Sequence, residues 1–433
     1  MSLAPRRCYT DGMRHRRRLA AGLGLALCVL AGCSGDDPPP LQPDAAWRQG
    51  PTAPEPSLPG PSVDAPGMDL PLEQPRMALR AAVDLSPAVP GVAATATAAV
   101  GSPDGGAYVV LSPLDPRLPH RLATVSPVDA GHAVTASVPI PRLRPVWDVH
   151  ALATGRVLIS GQFRGDRPGY GFLSVDPARG DVWTAVVIPF EDGTELASGS
   201  SVLSADGTTI TLFLSSFTNG RHLDLLMSAD AASGQILGGR DLSEEVGPVS
   251  ESGVGPWSTW LFARPDGGVD LVFDAYPARV GIVGVPTVVR YDRELEPVGK
   301  PMPVTGGDDS ARLLAAAIGP DGTVVVRAEV PDGTWLVELS SDGVSSTRLV
   351  HLAGPGDDAL VVDPAQGWAL TPTAYGARTV DLATGGSTPV DVACSPGVDQ
   401  LLPGLGGMSA LMVGRCGPRG ADVPTLWIAG PTQ

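Results

Sequence analysis

Asp148 and His150 stand two residues apart in the run Val146-Trp147-Asp148-Val149-His150. In an extended strand alternate residues share a face, so a carboxylate and an imidazole would lie side by side there, on the face expected to turn towards a central channel. Such a pair can pass a proton, hold a metal, or hydrogen-bond as a structural element, and the structural role is the expectation. Two acidic pairs, Asp308-Asp309 and Asp357-Asp358, each precede a strand-like run by a few residues. Equivalent positions in successive repeats would gather four carboxylates, the oxygen ligands that Ca²⁺ takes. Solvated loop carboxylates are the plainer reading, so no cofactor is expected and calcium is the one candidate ion.

Arginines and aromatics form a third pattern. It comprises Arg117 and Arg121, then Phe163, Arg164, Arg167 and Tyr170, then Phe217 and Arg221. Tyr276 and Arg279, Tyr375 and Arg378, and Arg415 and Arg419 continue it. Each group falls where a connection between the second and third strands of a repeat is expected. Guanidinium forks suit carboxylate or phosphate, and aromatic faces suit sugars or cations. The expected ligand contacts are Arg117, Arg121, Arg164, Arg167, Tyr170, Arg221, Arg279 and Arg378. Lys300 is the only lysine, so the plainer reading is that arginine populates polar loops by default.

Catalytic signatures are missing. The chain has no Gly-x-Ser-x-Gly, no His-Glu-x-x-His, no phosphate-cradling Gly-rich loop and no Cys-x-x-Cys. Asp332-Gly333-Thr334-Trp335 lacks the spacing of a sialidase-type Asp-box, and WD-type and kelch signatures also fail. A non-catalytic binding or scaffold role is therefore expected. The alternative is a propeller enzyme, a hydrolase, lyase or quinone-dependent dehydrogenase, with its site at a channel mouth.

The elements that would position these residues are strands. From about residue 76 onward, short runs of Val, Leu, Thr and Ala alternate with turn residues, an all-β pattern. An apolar run, a glycine-centred turn and a second apolar run recur about every 50 residues, the length of a four-stranded propeller blade. The turn glycines are Gly105, Gly155, Gly207, Gly267, Gly322, Gly367 and Gly406. Seven copies predict a seven-bladed β-propeller over residues 76–433; six or eight blades, or two small β-domains, are the alternatives. The last copy has room for three strands, and Arg76–Leu85 is expected to supply the fourth, closing the ring. A second turn follows some of the first, as Asp176-Pro177-Ala178-Arg179-Gly180, Asp230-Ala231-Ala232-Ser233-Gly234 and Asp381-Leu382-Ala383-Thr384-Gly385, with Ser341-Asp342-Gly343 in the same place. These turns resemble the outer turns of quinoprotein-like and YVTN-type β-propellers, which implies the fold and leaves the function open.

Ahead of the repeats the chain reads as an address. Arg14-His15-Arg16-Arg17-Arg18 precedes an apolar run, Leu19 to Leu30, too short to span a bilayer. Leu30-Ala31-Gly32-Cys33 resembles the lipobox of bacterial lipoproteins. That resemblance implies a signal peptide over residues 1–32, with Met13 a second candidate start. It also implies cleavage before Cys33 and a membrane anchor of diacylglyceryl and a fatty acid such as palmitate on that residue. Residues 33–75 then form a proline-rich tether in the cell envelope. Cys394 and Cys416 remain in the repeat region, and a lone pair in an exported chain predicts a disulfide worth about 3 kcal/mol. The net charge of −16 repels phosphate backbones and argues against nucleic acid. A monomer is expected, meeting the membrane through its anchor and a protein or anionic polysaccharide through its loops.

Overall fold

The computed structural model describes residues 77–431, apart from 128–130, 142, 164–167, 190–193, 219–220, 243–258, 277–284, 305–310, 320–321, 340–345, 353–358, 364–365, 374–375, 393–395, 404–409 and 417–422. Cys33, the expected signal and tether over residues 1–75, and the acidic pairs at 308–309 and 357–358 lie outside the described residues. So do Cys394, Arg164, Arg167, Arg279, Tyr375, Arg419, Gly343 and Gly406. Among the described residues no helix is long and apolar enough to cross a membrane.

The described residues form seven four-stranded antiparallel sheets, arranged as a seven-bladed β-propeller. Strand β1, Met77–Asp84, comes first in the chain and is followed by a single 3₁₀ turn, Ser86–Ala88. Blade 1 is β2 (Ala94–Gly101), β3 (Ala107–Pro113), β4 (His120–Val125) and β5 (Val134–Ile140). Blade 2 is β6 (Leu143–Ala151), β7 (Val157–Phe163), β8 (Gly169–Asp176) and β9 (Asp181–Pro189). Blade 3 is β10 (Thr194–Leu203), β11 (Thr209–Thr218), β12 (Arg221–Asp230) and β13 (Ile236–Asp241). Blade 4 is β14 (Thr259–Ala263), β15 (Val269–Tyr276), β16 (Val285–Tyr291) and β17 (Met302–Pro303). Blade 5 is β18 (Arg312–Ile318), β19 (Val324–Val330), β20 (Gly333–Leu339) and β21 (Ser346–Leu352). Blade 6 is β22 (Val361–Asp363), β23 (Trp368–Thr373), β24 (Gly376–Asp381) and β25 (Ser387–Asp391). Blade 7 takes β26 (Pro396–Pro403), β27 (Ala410–Cys416) and β28 (Val423–Pro431), and β1 pairs with β28 as its outer strand. This is the closure expected for Arg76–Leu85, and it replaces an open sheet edge with a ladder. The count excludes the six- and eight-bladed alternatives and the pair of small domains.

Turn chemistry explains the repeat. Gly105, Gly155, Gly207, Gly267, Gly322 and Gly367 all have φ between 71° and 88°, left-handed values that a Cβ disfavours. In the outer turns the Asp side chain caps the bend: Asp381 Oδ1 accepts from the Ala383 and Thr384 amides at 2.9 and 2.8 Å. Asp176 and Asp230 do the same for their own turns.

Seven apolar clusters hold the ring, one at each junction between neighbouring blades. The closure joins Val83, Leu426 and Ile428 of blade 7 to Ala96, Val109 and Leu111 of blade 1. Alternation within a strand feeds both neighbours: Leu158 of β7 packs towards blade 3, and Val157 and Ile159 towards blade 1. Each fully buried Leu or Val contributes roughly 1.5–3 kcal/mol.

Candidate functional site

The inner strands surround a channel with a cavity of about 790 Å³. Residues of every blade line it, from Ala98 of blade 1 to Leu402 of blade 7. Most of the wall is apolar, including Val100, Leu261, Phe262, Ile318 and Leu401. The polar part is concentrated where blade 2 meets blade 3, at Asp148, His150 and Ser201.

Local backbone irregularity sets this up. Inner strands β2, β6, β10, β18 and β26 each slip register against their second strand, and β6 slips twice. The second slip falls between Val146 and Val149, so Trp147 and Asp148 share the space of one partner residue. Such a bulge re-aims side chains. Trp147 lies over Gly199 of β10, where an added Cβ would stand 2.5 Å from the indole ring. It also meets Tyr170 edge-on, with centroids 4.5 Å apart.

A hydrogen-bonded network crosses the blade boundary. The Ser201 amide donates to Asp148 Oδ2 at 2.6 Å. The Ser201 hydroxyl lies 2.8 Å from His150 Nε2, 2.8 Å from Ser160 Oγ and 3.3 Å from Asp148 Oδ2. The Asp148 amide donates to Ser160 Oγ at 3.1 Å, and the Tyr170 hydroxyl donates to the Ser200 carbonyl at 2.7 Å. Burial pushes the Asp148 carboxyl up to about 6, against the lowering effect of its bonds to Ser201. Burial also pushes the His150 imidazole down to about 4. Tyr170 is driven well above its usual range by burial first and by the Asp148 charge second. At neutral pH the network therefore holds one carboxylate, a neutral imidazole and a neutral phenol.

Ser201 and His150 are close enough for nucleophile and base, yet the arrangement departs from that chemistry. Asp148 bonds Ser201 rather than His150 Nδ1, so among the described residues no carboxylate orients the imidazole as a base. Ser201 is buried within an extended strand. The sequence placed Asp148 and His150 on one channel-facing strand, and there they are. It missed Ser160 and Ser201, whose one signal was polar residues inside otherwise apolar strands.

Several arginine and aromatic placements need correction. Tyr170 is not a loop residue: it lies in β8, fully buried against blade 3, because the hairpin has already resumed at Gly169. Phe163 is likewise a buried strand residue. Arg121 belongs to β4, where its guanidinium donates to Ser137 Oγ at 2.7 Å and to the Ser137 carbonyl. Arg378 belongs to β24 and donates to Thr371 Oγ1 at 3.3 Å. Arg221 begins β12, and Arg415 lies in β27. Arg117 alone of the described set is an exposed loop residue. Among the described residues no three metal-ligating side chains cluster. Cys416 ends β27, and the register sets Pro396 opposite it, two residues along from Cys394.

No family model matches the chain, and no curated protein is significantly similar to it. Its likeness is to solved structures. An oligogalacturonate lyase from Vibrio parahaemolyticus shares 8% identity over 78% of this chain and 91% of that one, with a TM-score of 0.53. An oligogalacturonate lyase in complex with manganese shares 10% identity over 77% and 88%, with a TM-score of 0.51. At such identities the likeness is one of fold, and the chain is a seven-bladed β-propeller similar in architecture to these proteins.

Proposed function

We propose that this protein is a lipid-anchored binding module of the cell envelope, with Cys33 carrying the anchor and the propeller acting without catalysis. The observation that carries the non-catalytic reading is the channel network. Asp148, His150 and Ser160 all bond the buried Ser201 across a blade boundary, with the carboxylate on Ser201 rather than behind the imidazole. Recognition then falls to the face bearing the blade-to-blade and second-to-third strand connections. The connections there differ in length, from the two residues 141–142 between β5 and β6 to the seventeen of 242–258 between β13 and β14. The opposite face carries turns of four to ten residues, a narrower range. Variable loops on a rigid scaffold are the usual seat of recognition. Arg117 is an exposed residue of such a connection, Arg164, Arg167 and Arg279 fall by sequence between second and third strands, and all four would suit an anionic polysaccharide or an acidic protein surface.

Two experiments test the two halves. Cys33→Ala should move the protein from the membrane to the soluble fraction; retention of the variant with unchanged acylation would defeat the anchor. Reversing Arg117, Arg167 and Arg279 to Glu should abolish cross-linking to envelope material with the melting temperature unchanged. Undiminished cross-linking would defeat the face.

A further inference from the structure

Asp148 has a feature that the structural network leaves unused. Both of its side-chain bonds from Ser201 go to Oδ2. Its Oδ1 has no hydrogen-bond partner among the described residues, and Asp148 lines the cavity. The groups packed about it are His150 on its own strand, Ser160 from β7, Tyr170 from β8 and Ser201 from β10. None is cationic at neutral pH. The remaining lining residues are apolar or, like Gln400, uncharged, and Gln400 Nε2 already donates to the Thr97 carbonyl at 2.9 Å. Among the described residues no cation faces this carboxylate across the largely apolar chamber, an arrangement that is costly unless something compensates it.

We propose that the central cavity is a binding site for a small hydrophobic monocation, an alkyl- or aryl-ammonium whose head pairs with Asp148 and whose body fills the apolar wall. Its size falls within the range of small-ligand pockets, which pair an apolar lining with few polar anchors. An ammonium head donates three hydrogen bonds and would find acceptors in Asp148 Oδ1 and His150 Nδ1. The imidazole takes the accepting tautomer when the Ser201 proton points to Ser160 or Asp148 and His150 Nε2–H donates to Ser201 Oγ. Trp147 and Phe262 also line the cavity and add apolar surface for the body of the ligand. A metal ion fits poorly, because no third ligating side chain joins the pair among the described residues. The site is separate from the loop face and stands or falls independently of it.

The test uses 2-phenylethylamine, with 2-phenylethanol as a neutral ligand of nearly the same shape, titrated calorimetrically into the full chain at pH 7.5. The amine should bind and the alcohol should bind roughly 30-fold or more weakly. Asp148→Asn should erase that preference, and Ala359→Phe, which narrows the cavity while sparing the carboxylate, should weaken amine and alcohol together. Equal binding of amine and alcohol to the unaltered chain, no binding of either, or an amine preference that survives Asp148→Asn would overturn the proposal. Should Asp148→Asn not fold, the amine-to-alcohol ratio and the Ala359→Phe variant still decide it.

Discussion

The channel has two unlike walls. On the side of blades 4 to 7, Leu261, Phe262, Ile318 and Leu401 present carbon to the cavity while also packing between blades. On the side of blades 2 and 3, Asp148, His150 and Ser201 present polar atoms that bond across the junction. The ring is the same in both places, and so is the apolar cluster behind each junction. What differs is the inner strand. The double register slip in β6 brings two residues into the space of one, and Gly199 opposite leaves room for the Trp147 ring. Ordinary packing therefore holds the ring, whereas the polar wall adds a specific contact and keeps a charge inside.

The largest effect should come from the apolar wall. Leu261→Ala removes a buried side chain from the blade 3–4 cluster and should cost about 3 kcal/mol, read from the denaturation midpoint. Tyr170→Phe removes one hydroxyl from the polar wall, keeps the ring against Trp147, and should cost about 1 kcal/mol. A reversed ranking would mean that the blade 2–3 junction depends on its hydrogen bonds and not on its carbon.

Much of this was legible in the sequence, and for a physical reason. A positive-φ turn selects glycine, so Gly105 to Gly367 mark the hairpins in the sequence itself. Capping selects Asp at the outer turns, which marked Asp176, Asp230 and Asp381. The closing strand was readable because blade 7 ran out of chain. Period two put Asp148 and His150 on one face. The partners Ser160 and Ser201 were not legible, because they come from a strand ten residues on and from another blade, and a register slip sets which side chains meet. Tyr170 was misplaced because no local signal separates the last loop residue from the first strand residue in Arg167-Pro168-Gly169-Tyr170. Arg121 and Arg378 were misplaced likewise, since an arginine on a strand and an arginine in a loop look alike in sequence.

The claim that one wall of the channel holds a half-buried carboxylate with no cation beside it among the described residues is tested most directly by stability against pH, compared between the parent chain and Asp148→Asn. Folded Asp148 keeps its proton to about pH 6, whereas the unfolded residue releases it near the usual 3.8, so its contribution to stability falls as pH rises through that window. His150 acts oppositely: it is neutral in the fold above about 4 and takes a proton near 6.5 when unfolded, so its contribution rises with pH. The two slopes oppose each other in the parent. Asp148→Asn leaves the His150 slope alone, so the variant should gain stability over the parent by about 1–3 kcal/mol between pH 4 and 7. A difference between the two chains that stays constant across that range would contradict the account.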